Sequence, residues 1–100
     1  MILRSPSLEA VARLLADYAR SGRPNPATLE DLLVYLRNRN LRISYHQLRR
    51  RLEELEARGL VRRVTTTVVY EYRVDGRLRH VRVRKTLWLL RALALQRLAG

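Results

Sequence analysis

The chain contains no cysteine, which excludes a disulfide framework and any thiolate metal site. Its two histidines, His46 and His80, have no metal-ligand spacing, so no metal centre is expected. Glycine is scarce: Gly22, Gly59, Gly76 and Gly100 fall at expected turns or at the last position. None belongs to a glycine-rich phosphate loop, and no nucleophile elbow is present. No catalytic residue and no cofactor are expected, and the chain does not read as an enzyme. Long apolar runs are missing too. The most apolar segment, Leu87–Ala99, has 13 residues, short of the roughly 20 that a membrane-spanning helix needs. Arg4 and Glu9 interrupt any apolar run near the start, so no signal peptide is read there. The expectation is a cytoplasmic, nucleoid-associated protein with no membrane partner.

Acidic side chains are few. Nine Asp and Glu stand against 21 Lys and Arg, a formal charge of +12, with a pI near 11.5. Lysine is nearly absent; Lys85 is the only one among those 21 cations. Such a surplus points to a polyanionic partner, nucleic acid first and an anionic surface second. The plainer reading is a basic surface kept for solubility. One hundred residues make one domain with a small core. Burial against a partner subunit would add to it.

Residues 1–6, with Ser5-Pro6, read as a lead-in. Ser7 can cap a first helix over Leu8–Arg20, where Leu8, Val11, Ala12, Leu14, Leu15, Tyr18 and Ala19 form a wide apolar face. Ser21-Gly22 ends it, and Arg23-Pro24-Asn25-Pro26 is a turn. Thr28, with Glu30 and Asp31 behind it, starts a second helix ending near Asn38. Leu29, Leu32, Leu33 and Leu36 are its buried stripe. A connector follows in which Leu41 and Ile43 can plug the core. Ser44 and Gln47 then make a capping box. Leu48, Leu52 and Leu55 form the inner stripe of a third helix, 44–58, and Gly59 suits its left-handed end. Opposite the leucines lie His46, Arg49, Arg50 and Glu53.

Asp75-Gly76 is a two-residue type I′ hairpin signal between Leu60–Val74 and Arg77–Lys85. Folding about it pairs Tyr72 with Arg79, Tyr70 with Val81 and Val68 with Val83 on one face. The other face pairs Arg73 with Leu78, Glu71 with His80, Val69 with Arg82 and Thr67 with Arg84. Thr86 can cap a last helix, Leu87–Leu98, apolar on nearly all sides. Such a helix needs cover all round, which a chain this short cannot supply alone. A homodimer interface of Leu87, Trp88, Leu90, Leu93, Ala94 and Leu98 is therefore expected.

The fold class that follows is α+β, mainly α: three helices, a β-hairpin and an added C-terminal helix. The stretch Ile43-Ser44-x-x-x-Leu48-x-Arg50-Arg51-Leu52-x-x-Leu55-x-x-x-Gly59-Leu60-Val61-x-Arg63 resembles the recognition helix and wing entry of winged helix-turn-helix DNA-binding proteins. The arginine-based charge and apolar last segment make the chain look most like the small dimeric archaeal transcription regulators. The connector before Ser44 is longer than in a compact helix-turn-helix. The resemblance implies a winged helix-turn-helix domain over 1–86 and a dimerisation helix over 87–100. It also implies double-stranded DNA as partner, with helix 44–58 in the major groove and a wing, 61–85, on the backbone or minor groove. The candidate DNA-binding residues are His46, Gln47, Arg49, Arg50, Arg51, Arg73, Arg77 and Arg79. Gln47 can pair adenine, and Arg49 or Arg50 can pair guanine; Arg51 and the wing arginines suit phosphate. Tyr45 reads as core-edge packing or a phosphate contact. A solvated face is the competing reading for Arg49–Arg51, with pairing to Glu53 and Glu54. Non-specific binding to nucleic acid, chromatin-type or RNA, is the competing function. No effector ligand is legible.

Overall fold

The computed structural model describes residues 5–100; residues 1–4 of the lead-in lie outside the described residues. The order is α1 (Leu8–Arg20), α2 (Leu29–Asn38), α3 (Tyr45–Ala57), β1 (Val61–Val74), β2 (Arg77–Leu90) and α4 (Ala92–Ala99). The architecture is α+β, with one two-stranded antiparallel sheet among the described residues. Among the described residues no helix is long and apolar enough to cross a membrane.

The first three helices start at their expected caps. Ser7 Oγ accepts from the Ala10 amide and Thr28 Oγ1 from the Asp31 amide, each at 3.1 Å. Their leucine stripes meet in one core. Val11, Leu15, Leu32, Leu36, Leu48, Leu52 and Leu55 are fully buried there, and Ile43 plugs it from the connector. Each such side chain contributes about 1.5–3 kcal/mol of transfer free energy. Tyr35 joins the core without having been singled out by the leucine spacing. Its ring meets Tyr18 edge-on at 5.1 Å, and the Arg23 and Arg39 guanidinium groups lie over it at 4.7 and 4.2 Å. The Tyr18 hydroxyl donates to the Pro24 carbonyl at 2.7 Å. Burial chiefly, then the Asp31 charge, raises the Tyr18 pKa, against a lowering by Arg23. The Tyr35 hydroxyl is buried and has no partner among the described residues.

The hairpin has the expected register, pair for pair, from Thr67–Arg84 to Arg73–Leu78. Asp75 and Gly76 both take positive φ, 52° and 75°, as the type I′ turn requires. The ladder does not stop at Lys85, however. It continues through Thr65–Thr86 and Val64–Leu87 to Val61–Leu90.

The expected helix over Leu87–Leu98 is thereby corrected. Its first four residues are the end of β2, and Thr86 lies inside the strand. Only Ala92–Ala99 is helical, with Arg91 at its cap position and no side-chain cap. A boundary between residues 86 and 87 would cut β2. The physical reason lies in the α1–α2 connector. The Ala27 amide donates to the Trp88 carbonyl at 2.9 Å, and the Trp88 amide donates to the Ala27 carbonyl at 2.7 Å. Asn25 extends the pairing with its side chain: Nδ2 donates to the Leu90 carbonyl and Oδ1 accepts from the Leu90 amide, both at 2.9 Å. The base of β2 is thus a central strand, flanked by β1 and by residues 25–27. Apolar residues on both faces of a central strand mimic an all-round apolar helix over so short a run.

Two expected interface residues, Trp88 and Leu90, are consequently core residues, 3% and 4% exposed. They have no surface left for a second subunit. α4 packs on α1, burying Leu95 completely and Leu98 partly. Leu93 is the one apolar side chain of that helix that is largely exposed, at 70%.

Asn25→Ala strips two backbone groups of their partners and should cost roughly 2 kcal/mol, read as a lower midpoint in urea unfolding. Tyr35→Phe removes a hydroxyl with nothing to bond and should leave that midpoint unchanged or slightly raised.

Candidate nucleic-acid interface

α3 has both ends closed by its own sequence. Ser44 Oγ accepts from the Gln47 amide at 3.2 Å, and Gln47 Oε1 accepts from the Ser44 amide at 2.9 Å. At the other end Gly59, at φ 74°, allows its amide to donate to Glu56 O and the Leu60 amide to Leu55 O, each at 2.9 Å. This double closure is a Schellman motif. The first turn of α3 carries no acid, so its partial positive charge stands unopposed.

The candidate side chains of α3 differ in how free they are. Arg50 and His46 are exposed; Arg50 makes no hydrogen bond or ion pair among the described residues, and His46 stands edge-on to Tyr45 at 5.8 Å. Arg49 reaches Glu53 at 3.5 Å, an exposed i,i+4 pair of small energy. Gln47 has its carboxamide oxygen committed to the cap, leaving the nitrogen to offer. Arg51 departs most from expectation. Its Nε donates to the Pro6 carbonyl at 3.0 Å, and its Nη1 bonds both Glu54 oxygens at 3.0 and 3.1 Å. It ties α3 to the segment before α1 instead of standing free for phosphate. Tyr45 is 40% exposed and lines the cleft beside α3 rather than the core edge.

The hairpin is joined to α3 through Arg63. Arg63 Nε contacts Glu56 at 3.0 Å, and its guanidinium lies over the buried Trp88 ring at 4.9 Å. The face of the ribbon bearing Val61, Arg63, Trp88 and Leu90 therefore looks toward the helices. Register carries the same face outward through Thr65, Thr86, Thr67, Arg84, Val69 and Arg82 to Arg73. Hydroxyls and arginines dominate it, with Glu71 paired to His80 at 3.5 Å.

Of the three wing candidates, this face receives Arg73 only. Arg77 and Arg79 fall on the opposite face, opposite Val74 and Tyr72. Arg82 and Arg84 belong with Arg73 and were not among the candidates. The signal that finds them is the period of two counted from the Asp75-Gly76 turn.

Between the two elements lies a cleft of about 390 Å³ lined by Thr28, Leu29, Glu30, Tyr45, Arg49, Arg63, Lys85, Thr86 and Trp88. Three cations and three hydroxyls there offer donors to one or two phosphate oxygens, with Glu30 as the one opposing charge. Lys85 Nζ sits 5.3 Å from the Tyr70 ring centre. Its pKa is raised, first by hydrogen bonding to Tyr70 and then by the Tyr70 charge, with a smaller lift from Glu30 against desolvation.

Comparison with protein-family models, with curated proteins and with solved structures finds no match for this chain.

Arg51→Ala should lower stability by about 1–2 kcal/mol through the lost Pro6 and Glu54 contacts, measured by chemical denaturation. Nucleic-acid affinity, measured well below the unfolding transition, should change less than it does for Arg50→Ala.

Proposed function

We propose that the protein is a winged helix-turn-helix that binds double-stranded DNA as a homodimeric transcription regulator. The observation that carries this reading is the shared side of α3 and the hydroxyl-and-arginine face of the hairpin. An acid-free, capped helix start with His46, Arg49 and Arg50 exposed suits entry into a major groove. The adjoining ribbon, with Arg73, Arg82 and Arg84, suits the flanking phosphates or a narrow minor groove. Arg50 is the best base reader, as a free guanidinium able to pair guanine O6 and N7. Glu53, Glu54 and Glu56 follow on the second half of α3 and repel phosphate there, which orients the helix with its first turns inward. The clamp at Asn25–Ala27 supports the wing assignment, since it holds the hairpin base rigidly against the helices.

One observation favours a second reading, a non-specific binder of DNA or structured RNA. Arg49 is paired with Glu53 and Gln47 is drawn into its cap, so few unpaired side chains remain to read bases.

Selection of bound duplexes from a random pool decides between the two. Sequence-specific binding as a dimer should return an inverted repeat with half-sites about 34 Å, one helical turn, apart or a multiple of it. Recovery of no enriched sequence, or tighter binding to structured RNA than to any duplex, would sink the first reading. With the selected site in hand, Arg50→Ala should weaken specific binding by about 1–3 kcal/mol and leave random DNA nearly unaffected. Arg84→Ala should weaken both alike and lower the salt-dependence slope by about one.

A further inference from the structure

The outer face of the hairpin, turned away from the helices, is of a different character. Val68, Val83, Tyr70, Val81, Tyr72 and Val74 follow one another along it by register. Five of these are 38–46% exposed. The stripe continues to the base through Val64, Leu87 and Leu89, which are half-buried. No residue between Arg62 and Leu87 is buried. The molecule is correspondingly long, 55 × 34 × 24 Å, with a radius of gyration of 16.1 Å against about 13 Å for a compact chain of this length.

A two-stranded ribbon with both faces in water is marginal by itself and needs another layer. Its hydroxyl-and-arginine face has the chemistry for a polyanion. Its apolar face is poor in cations along its middle: Arg77 and Arg79 sit at the tip and Arg62 at the base. Around Val68–Val83 and Tyr70–Val81 only Lys85 reaches in, its Nζ 5.3 Å from the Tyr70 ring centre. The exposed side chains of the stripe present on the order of 500 Å², at the upper end of what a monomer leaves uncovered. With the stems of the flanking arginines, this approaches the roughly 800 Å² per partner of a standard interface.

We infer that a second copy of this chain covers the stripe, the two hairpins stacked face to face and antiparallel about a two-fold axis near Tyr70 and Val81. A copy brings a stripe of the same length and side chains, which is what an isologous contact requires. Valine and tyrosine interdigitate well at the about 10 Å spacing of stacked sheets. Antiparallel stacking keeps the tip arginines of the two subunits apart, whereas parallel stacking would gather four of them. The dimer leaves α3 and the basic face of each ribbon uncovered. The contact requires no DNA, and because stacked sheets turn their outer faces apart, the two basic faces point to opposite sides of the dimer.

Light scattering on the purified protein without DNA tests the inference, so that its failure leaves the DNA-binding reading standing. The native chain should be a dimer at micromolar concentration. Val81→Arg should be a monomer with an unchanged helical circular-dichroism signal, while Leu93→Arg should remain a dimer. A monomeric native protein overturns the inference, as does a dimer that survives both Val81→Arg and Tyr70→Arg. So does a native monomer whose single-stranded oligonucleotide binding is lost in Tyr70→Ala, which makes the stripe a base-stacking surface. Should Val81→Arg unfold, spin labels decide in the native background. The chain lacks cysteine, so Arg77→Cys introduces a unique label site. Antiparallel hairpins place the two labels about 30 Å apart, and parallel ones about 10 Å. The short distance, or no dipolar coupling at all, overturns the antiparallel dimer.

Discussion

The backbone pairing between residues 25–27 and the base of β2 is the constraint on which the other placements depend. Four hydrogen bonds of 2.7–2.9 Å join Asn25 and Ala27 to Leu90 and Trp88. They convert the end of a hairpin strand into the middle of a three-row arrangement. Because Trp88 and Leu90 are thereby drawn into the core, the face of the ribbon they occupy is committed to the helices. Alternation then commits every residue further out. The hydroxyl-and-arginine face and the valine–tyrosine face are consequences of that one anchoring, extended by the period of two.

Part of the arginine of this chain is used inside the fold, and the ion pairs show which. Arg51 and Arg63 are spent on structure. One ties α3 to the segment before α1, and the other ties it to β1 and to the Trp88 ring. Arg23 and Arg39 lie over Tyr35. What remains without an internal partner among the described residues is Arg50 on α3 and the outer arginines of the ribbon, with Arg49 held only by an exposed pair. The charge of +12 overstates the free cationic surface by these internal uses. It still leaves the acids on that side as the pairing partners Glu53, Glu56 and Glu71 and the cleft residue Glu30.

Helix limits were legible wherever a cap was written next to an apolar stripe. Ser7, Thr28 and Ser44 each supply a side-chain acceptor, and no longer-range contact competes with those local hydrogen bonds. The hairpin register was legible for a similar reason, since Asp75-Gly76 admits one tight turn and the side-chain pairs agree with it. The last segment was not legible in this way. Leu87–Leu90 is apolar at every position, and a central strand and a buried helix share that pattern. Trp88 and Leu90, expected on a helix, therefore lie in the core end of a strand. The Arg51 contact was not legible because its partner is the Pro6 carbonyl, a backbone atom that no spacing rule announces.

Local chemistry in the sequence therefore determined three helices, a turn and a ladder, each from groups a few residues apart or from pairing outward from the turn. Tertiary structure alone decided where the ladder ends, which face of the ribbon meets the helices and which arginines stay free. Those outcomes depend on residues 25–27 meeting residues 88–90, across more than sixty positions of chain, through the Ala27–Trp88 backbone pair, whose groups every residue type carries alike, and the Asn25 carboxamide. Nothing in the side-chain pattern marks such a pairing in advance.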